Sequence, residues 1–115
     1  MIRQLLEEFL QIEGVTTAAL IGMDGFLIES AGSTPEDEEA LAALGSGLMA
    51  FFSRAGSVLD RGKARQFVLE HEESSIVFTQ ISEDTLLAVI AGTRTSAGRL
   101  AYLLPKITPR VAAII

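Results

Sequence analysis

The chain has 115 residues, 49% of them hydrophobic and 21% charged, with a net charge of −6, nine Lys and Arg, and no cysteine. That length makes one domain, able to bury about two thirds of its unfolded surface. The apolar excess for so small a domain points to self-association. The sparse, scattered cations exclude a nucleic-acid binder and an anionic membrane surface, and the missing cysteines exclude a disulfide scaffold or a thiolate metal site and suit a cytoplasmic protein.

The first helix carries Ile2, Leu5, Leu6, Phe9 and Leu10 on one stripe, and Gly14 ends it. Acidic residues inside this apolar pattern rule out a signal peptide, and no segment reaches the ~18 uncharged residues of a membrane span, so direct membrane insertion is not expected. VTTAALIGMDGFLIES then reads as a β-hairpin on the Asp24-Gly25 turn, with Gly22 marking a bulge before it.

Ser33 to Gly62 reads as one long helix. Thr34 serves as N-cap, Pro35 fits the first position, and Glu36 to Glu39 complement the helix dipole. Gly56 or Gly62, with Asp60-Arg61, mark its stop. Leu41, Leu44, Leu48, Phe51, Ala55 and Val58 form the row expected to face the core. Beside them runs Gly45, Met49, Phe52 and Gly56; a third face carries Ala43, Ser46, Gly47, Ala50, Ser53, Arg54 and Ser57. From Ala40 to Ser53 no residue is charged, so the helix is expected to pack on two things at once. Gly45 and Gly47 each cost roughly 1 kcal/mol against Ala, a cost best understood if another backbone approaches closely.

Three strands follow, Arg65 to His71, Ser75 to Ile81 and Thr85 to Ala91, the last two apolar on both faces and so expected to lie between helices. Gly92 to Ser96 forms a loop with Ser96 as cap, and a final helix begins near Ala97, kinked at Pro105 and restarted at Thr108-Pro109. The order α-β-β-α-β-β-β-α gives an α/β (α+β) fold over residues 1–115. Its five-stranded antiparallel sheet has the long helix on one face and the terminal helices on the other.

The Gly14-Val15 helix end, the hairpin AALIGMDGFLIES, the acidic-started long helix and the LLAVIAG strand before a last helix together resemble the Roadblock/dynein-light-chain family. The resemblance implies a small homodimeric module that binds a Ras-like small GTPase or joins motor and membrane-tethered scaffolds. Prokaryotic members accompany a polarity or motility GTPase. Dimerisation is expected through Gly45, Met49, Phe52 and Gly56 with the edge-strand residues Phe67 and Leu69; Gln66 to Leu69 carries no charge to block edge pairing. By the same resemblance the Ala43, Ser46, Gly47, Ala50, Ser53, Arg54 and Ser57 face is the GTPase platform. There Arg54 pairs with a partner carboxylate or reaches a nucleotide phosphate.

No catalytic, cofactor or metal set is legible. His71, the one histidine, sits between Glu70 and Glu72 as a solvated turn residue. Gly92 to Gly98 lacks the Lys and spacing of a phosphate loop, and consecutive helical carboxylates such as Glu36 to Glu39 point around the axis and do not converge. The sequence therefore describes a non-enzymatic binding module. A small-molecule sensor would need a cavity with converging polar groups, and a purely structural self-assembling scaffold subunit is the remaining alternative.

Overall fold

In the computed structural model, which describes residues 1–32, 38–92 and 97–115, the chain runs α1 (Ile2–Phe9), β1 (Val15–Gly22), β2 (Leu27–Gly32), α2 (Glu38–Val58), β3 (Gln66–Glu70), β4 (Ser74–Ser82), β5 (Thr85–Gly92) and α3 (Ala97–Ala112). All five strands join one antiparallel sheet in the order β2-β1-β5-β4-β3. The element order and layers are those expected. Thr34, Pro35, Glu36, Asp37 and the segment 93–96 with its Ser96 cap lie outside the described residues.

Alternate residues along each central strand feed two separate cores. Ala18 and Leu20 of β1, Val77 of β4 and Leu87 and Val89 of β5 meet Leu5, Leu6 and Phe9 of α1 and Leu100, Leu104 and Val111 of α3. Ala19 and Ile21, Phe78, and Leu86 and Ala88 point the other way, to Leu41, Ala42 and Met49 of α2. Burial on both faces explains why these strands are apolar throughout.

The hairpin turn forms at Asp24-Gly25. Gly25 has a φ of 92°, its amide donates to the Gly22 carbonyl at 2.9 Å, and the Phe26 amide donates to Asp24 Oδ1 at 3.1 Å. The bulge lies on β2 and not at Gly22: Leu20 pairs with Glu29 and Ile21 with Leu27, so Ile28 is the extra residue.

α3 continues as one helix through both prolines, with no restart at Thr108-Pro109. Pro105 has no N–H for the carbonyl of Ala101, one helical turn back. Gln66 Nε2 donates to that carbonyl instead, at 3.0 Å, and Gln66 Oε1 accepts from Thr79 Oγ1. One amide side chain thereby ties β3 and β4 to the proline-broken turn of α3.

Candidate interaction surface

The seat of α2 is set by one transverse row of the sheet. Ser30, Ala19, Ala88, Phe78 and Phe67 are successive cross-strand partners. At one end Ser30 Oγ donates to Glu38 Oε1 at 2.7 Å, near the start of the helix. The two alanines leave a shallow trough in the middle. At the far end Phe78 stacks on Phe67 with centroids 4.7 Å apart, and Phe52 meets Phe67 edge-on at 4.9 Å. α2 therefore crosses the sheet obliquely, from β2 at its start to β3 near its end.

This seating reverses two of the expected faces. Leu41, Ala42, Gly45 and Met49 are buried, with Phe52 and Gly56 half-buried behind them. The row expected at the dimer contact is turned to the chain's own sheet. A Cβ on Gly45 would lie 2.5 Å from the Phe78 ring, so the glycine makes room for an aromatic of its own chain and not for a second helix. At Gly56 a Cβ would strike the Gly62 carbonyl, where the chain folds back over the helix end. The helix stops at Val58; the Arg61 amide donates to the Gly56 carbonyl at 2.7 Å, and Asp60 adopts a φ of 57°.

The row expected in the core is the uncovered one. Leu44, Phe51 and Val58 are 48%, 64% and 84% exposed. Leu48 is half-buried and Ala55 exposed, so only Leu41 of that row reaches the core. The periodicity is correct, but the two rows lie only about a quarter turn apart on an uncharged helix, and volume decides between them. Leu41 and Met49 fill the core beside Ala19 and Ala88, and between them only a residue without a side chain, Gly45, passes the Phe78 ring.

The third face splits. Ala43, Gly47, Ala50, Arg54 and Ser57 are exposed along the outer side of α2. Ser46 is buried, its hydroxyl donating to the Ala43 carbonyl, and half-buried Ser53 accepts the Ala64 amide at 3.1 Å. Phe67 and Leu69 point to the α2 side of β3 and are half-buried; Val68 points to the other side.

The two sheet edges differ. On β2, Glu29 is held by Arg3 of α1 at 3.3 Å. β3 carries no ionisable residue from Gln66 to Leu69, and its outer hydrogen-bonding side has no strand beside it.

At one end of the sheet the β1–β2 turn, the β4–β5 turn and the α2–β3 connection meet. The Met23 amide donates to the Asp84 carbonyl and the Gln80 amide to the Arg65 carbonyl, both at 2.8 Å. An open cleft of about 1000 Å³ lies there, between Ala50 and Ser53 of α2 and residues 61–66.

Among the described residues no three His, Cys, Asp or Glu side chains are grouped so as to hold a metal ion. His71 is exposed at the β3–β4 turn, where its amide donates to the Ser74 carbonyl. By length and apolar composition alone, α2 is the one helix of the described residues that could cross a membrane. Its buried face is the one seated on the sheet.

Several solved structures share this fold. The Myxococcus xanthus MglB structure superimposes with a TM-score of 0.88 at 24% identity, covering 98% of this chain and 93% of that one. A Roadblock/LC7 domain from Streptomyces avermitilis gives 0.86 at 29% identity over 96% and 94% of the two chains. The gliding protein MglB from Thermus thermophilus gives 0.86 at 22% identity over 96% and 85%. No curated protein sequence matches the chain. The Roadblock/LC7 domain model matches residues 1–91, and with the observed architecture this settles the assignment: the chain belongs to the Roadblock/LC7 domain family.

Proposed function

We propose that residues 1–115 form one Roadblock domain that acts as a cytoplasmic homodimer and binds a Ras-like small GTPase, as an adaptor or regulator and not as an enzyme in its own right. The observation that carries the reading is the uncovered apolar flank of α2. Leu44, Phe51 and Val58 stay in water, and the β3 edge of the sheet is free of charge from Gln66 to Leu69, on a domain of this family. A two-fold axis would set the flank against its copy and bring the two β3 edges together. Among the structures that share the fold, one MglB is described with a tetrameric arrangement and another as a gliding protein, which supports self-assembly and a role in motility or polarity.

The outer side of α2 then remains for the GTPase. Ala43, Gly47, Ala50 and Ser57 form a smooth strip that loses little side-chain entropy on contact, with Arg54 as its one charge. Arg54 sits on a regular helix and not on a loop able to insert, which suits pairing with a partner carboxylate better than contact with a nucleotide phosphate.

The test is a GTP-dependent pull-down with Ras-like GTPases from the same genome, alongside sedimentation equilibrium. The wild type should sediment at twice its 12.3 kDa chain mass. Ala50→Arg should abolish GTPase capture while leaving the dimer intact, and Arg54→Ala should weaken capture. A wild-type monomer refutes the dimer. Unchanged capture by both variants removes the GTPase from this side of α2.

A further inference from the structure

β3 carries opposite charge at its two ends. Arg61, Lys63 and Arg65 lead into it, and Glu70, Glu72 and Glu73 close it, with Gln66 to Leu69 neutral between them. All of these charged side chains are exposed, and among the described residues none makes an ion pair or hydrogen bond. By contrast, Arg3 and Arg110 are paired with Glu7, Glu29 and Glu8. A strand polarised in this way is complementary to its own reverse, and a two-fold axis across its edge sets it against that reverse.

The backbone limits where such an axis can lie. In an antiparallel ladder alternate residues turn their N–H and C=O groups to one neighbour, and the rest turn theirs away. The Gln80 amide donates to the Arg65 carbonyl and the His71 amide to the Ser74 carbonyl, each at 2.8 Å. Both bonds continue the register in which Phe67 faces Phe78 and Leu69 faces Ile76. Residues 65, 67, 69 and 71 therefore turn their peptide groups to β4, and Gln66, Val68 and Glu70 present theirs to the bare edge. A copy pairing there must hydrogen-bond through the same set, which puts the axis on a residue and not between two.

Cross-strand opposition selects the residue. With the axis at Phe67, Leu69 lies opposite Arg65 of the copy. With the axis at Leu69, Val68 lies opposite Glu70 and Phe67 opposite His71. At Gln66 or Glu70 the strands barely overlap, and the second choice sets Glu70 against its own charge. Only at Val68 does every residue of β3 find its partner within β3. Phe67 then meets Leu69 on the α2 side of the sheet; Val68 meets itself and Gln66 meets Glu70 on the other. The same placement brings the basic lead of each strand beside the acidic 70–73 end of its copy.

We propose that two copies of the chain join their β3 strands antiparallel about an axis at Val68, giving one continuous sheet with opposite charges at both ends of the seam. This rests on the homodimer reading above and assigns its register.

The chain has no cysteine, so an introduced thiol reports a single contact. With the axis at Val68, Val68→Cys meets its copy at a Cα separation of about 5.5 Å, inside the range of about 4.4–6.8 Å that a disulfide spans. Glu70→Cys and its copy are offset by roughly 13 Å along the strands. Diamide oxidation at micromolar concentration should therefore link Val68→Cys into a covalent dimer and leave Glu70→Cys unlinked. A second measurement uses the charges. The chain carrying Lys63→Glu and Arg65→Glu, and the chain carrying Glu70→Lys and Glu72→Lys, should each lose at least about tenfold in dimer affinity at roughly 50 mM salt, with unchanged circular dichroism. An equimolar mixture of the two should recover a heterodimer close to wild-type affinity, because each end then meets its opposite. Sedimentation equilibrium of the wild type separates the outcomes. A wild-type monomer refutes the homodimer and this pairing together. A wild-type dimer overturns the pairing alone if Val68→Cys stays unlinked, if Glu70→Cys links as fast, or if the charge variants lose nothing or fail to recover on mixing.

Discussion

Replacing Phe51 by Ser separates the two sides of α2 when set against Met49→Ala two positions away. Phe51 is 64% exposed in the isolated chain, and a Phe side chain offers about 150–250 Å² in all. If self-association covers the exposed part, about 100–160 Å² per copy leaves water, worth about 2.5–4 kcal/mol at ~25 cal/mol/Å². A two-fold interface contains two copies, and ordering costs remove part of the gain. A loss of about 3 kcal/mol in dimerisation, or at least about a hundredfold in dissociation constant, is the expected outcome for Phe51→Ser. Met49, 1% exposed beneath the helix, should behave in the opposite way. Its truncation leaves a cavity over the sheet costing about 2–5 kcal/mol of a total of about 5–15 kcal/mol. Sedimentation velocity over a dilution series reads the first quantity. Urea unfolding of the dilute monomer reads the second, since dimerisation would otherwise add to apparent stability. Phe51→Ser that stays as dimeric as the wild type on dilution refutes the assignment of the flank. Met49→Ala that dissociates into a monomer with an unshifted urea midpoint refutes the seating of α2.

Gln66→Leu should cost about 1–3 kcal/mol by leaving the half-buried Ala101 carbonyl unpaired, and adding Pro105→Ala should cancel part of that loss by restoring a helical N–H; additive urea midpoints in the double variant would exclude the link. Gly32→Ala should be among the most damaging single changes at the β2 end, because Gly32 has a φ of 123° and a Cβ there would strike the Thr16 carbonyl; a thermal midpoint within a degree or so of wild type would contradict this.

The elements were legible because local signals and tertiary demands agree along most of the chain. The Asp24-Gly25 turn, the doubly buried β5 and the amphipathic α1 are each specified by residues a few positions apart. The faces of α2 were not legible in the same way. A helix whose every row is uncharged from Ala40 to Ser53 offers no hydrophilic side to orient it. The choice among its rows rests on residues of other strands: Ala19 and Ala88, which lower the sheet beneath it, and Phe78, whose ring fills the space over Gly45. The close approach expected of another backbone at Gly45 and Gly47 is made at Gly45 by the Phe78 ring and is absent at Gly47, and sequence spacing does not distinguish these cases. The continuity of α3 through Pro105 escaped for a similar reason. The side chain that satisfies its orphaned carbonyl comes from Gln66, in a strand on the far side of two turns.

The seating of α2 also fixes how its surfaces relate to one another. The apolar flank of Leu44, Leu48, Phe51 and Ala55 and the cleft side of Ser46 and Ser53 lie on opposite sides of the buried row, each about a quarter turn from it. Pairing through the flank would therefore leave the cleft side of α2 uncovered on each protomer, with the outer strip of Ala43, Gly47 and Ala50 between flank and cleft. Two-fold symmetry would then place one cationic cleft at each lateral end of a helix pair, with a shared smooth platform in the middle. A partner large enough to cover that platform would meet both outer strips at once, one partner for each pair of chains. That stoichiometry would be a consequence of which row of α2 faces the sheet. Had Leu44 and Phe51 been seated over Ala19 and Ala88, the flank would have vanished into the core, leaving no apolar face on α2 for self-association.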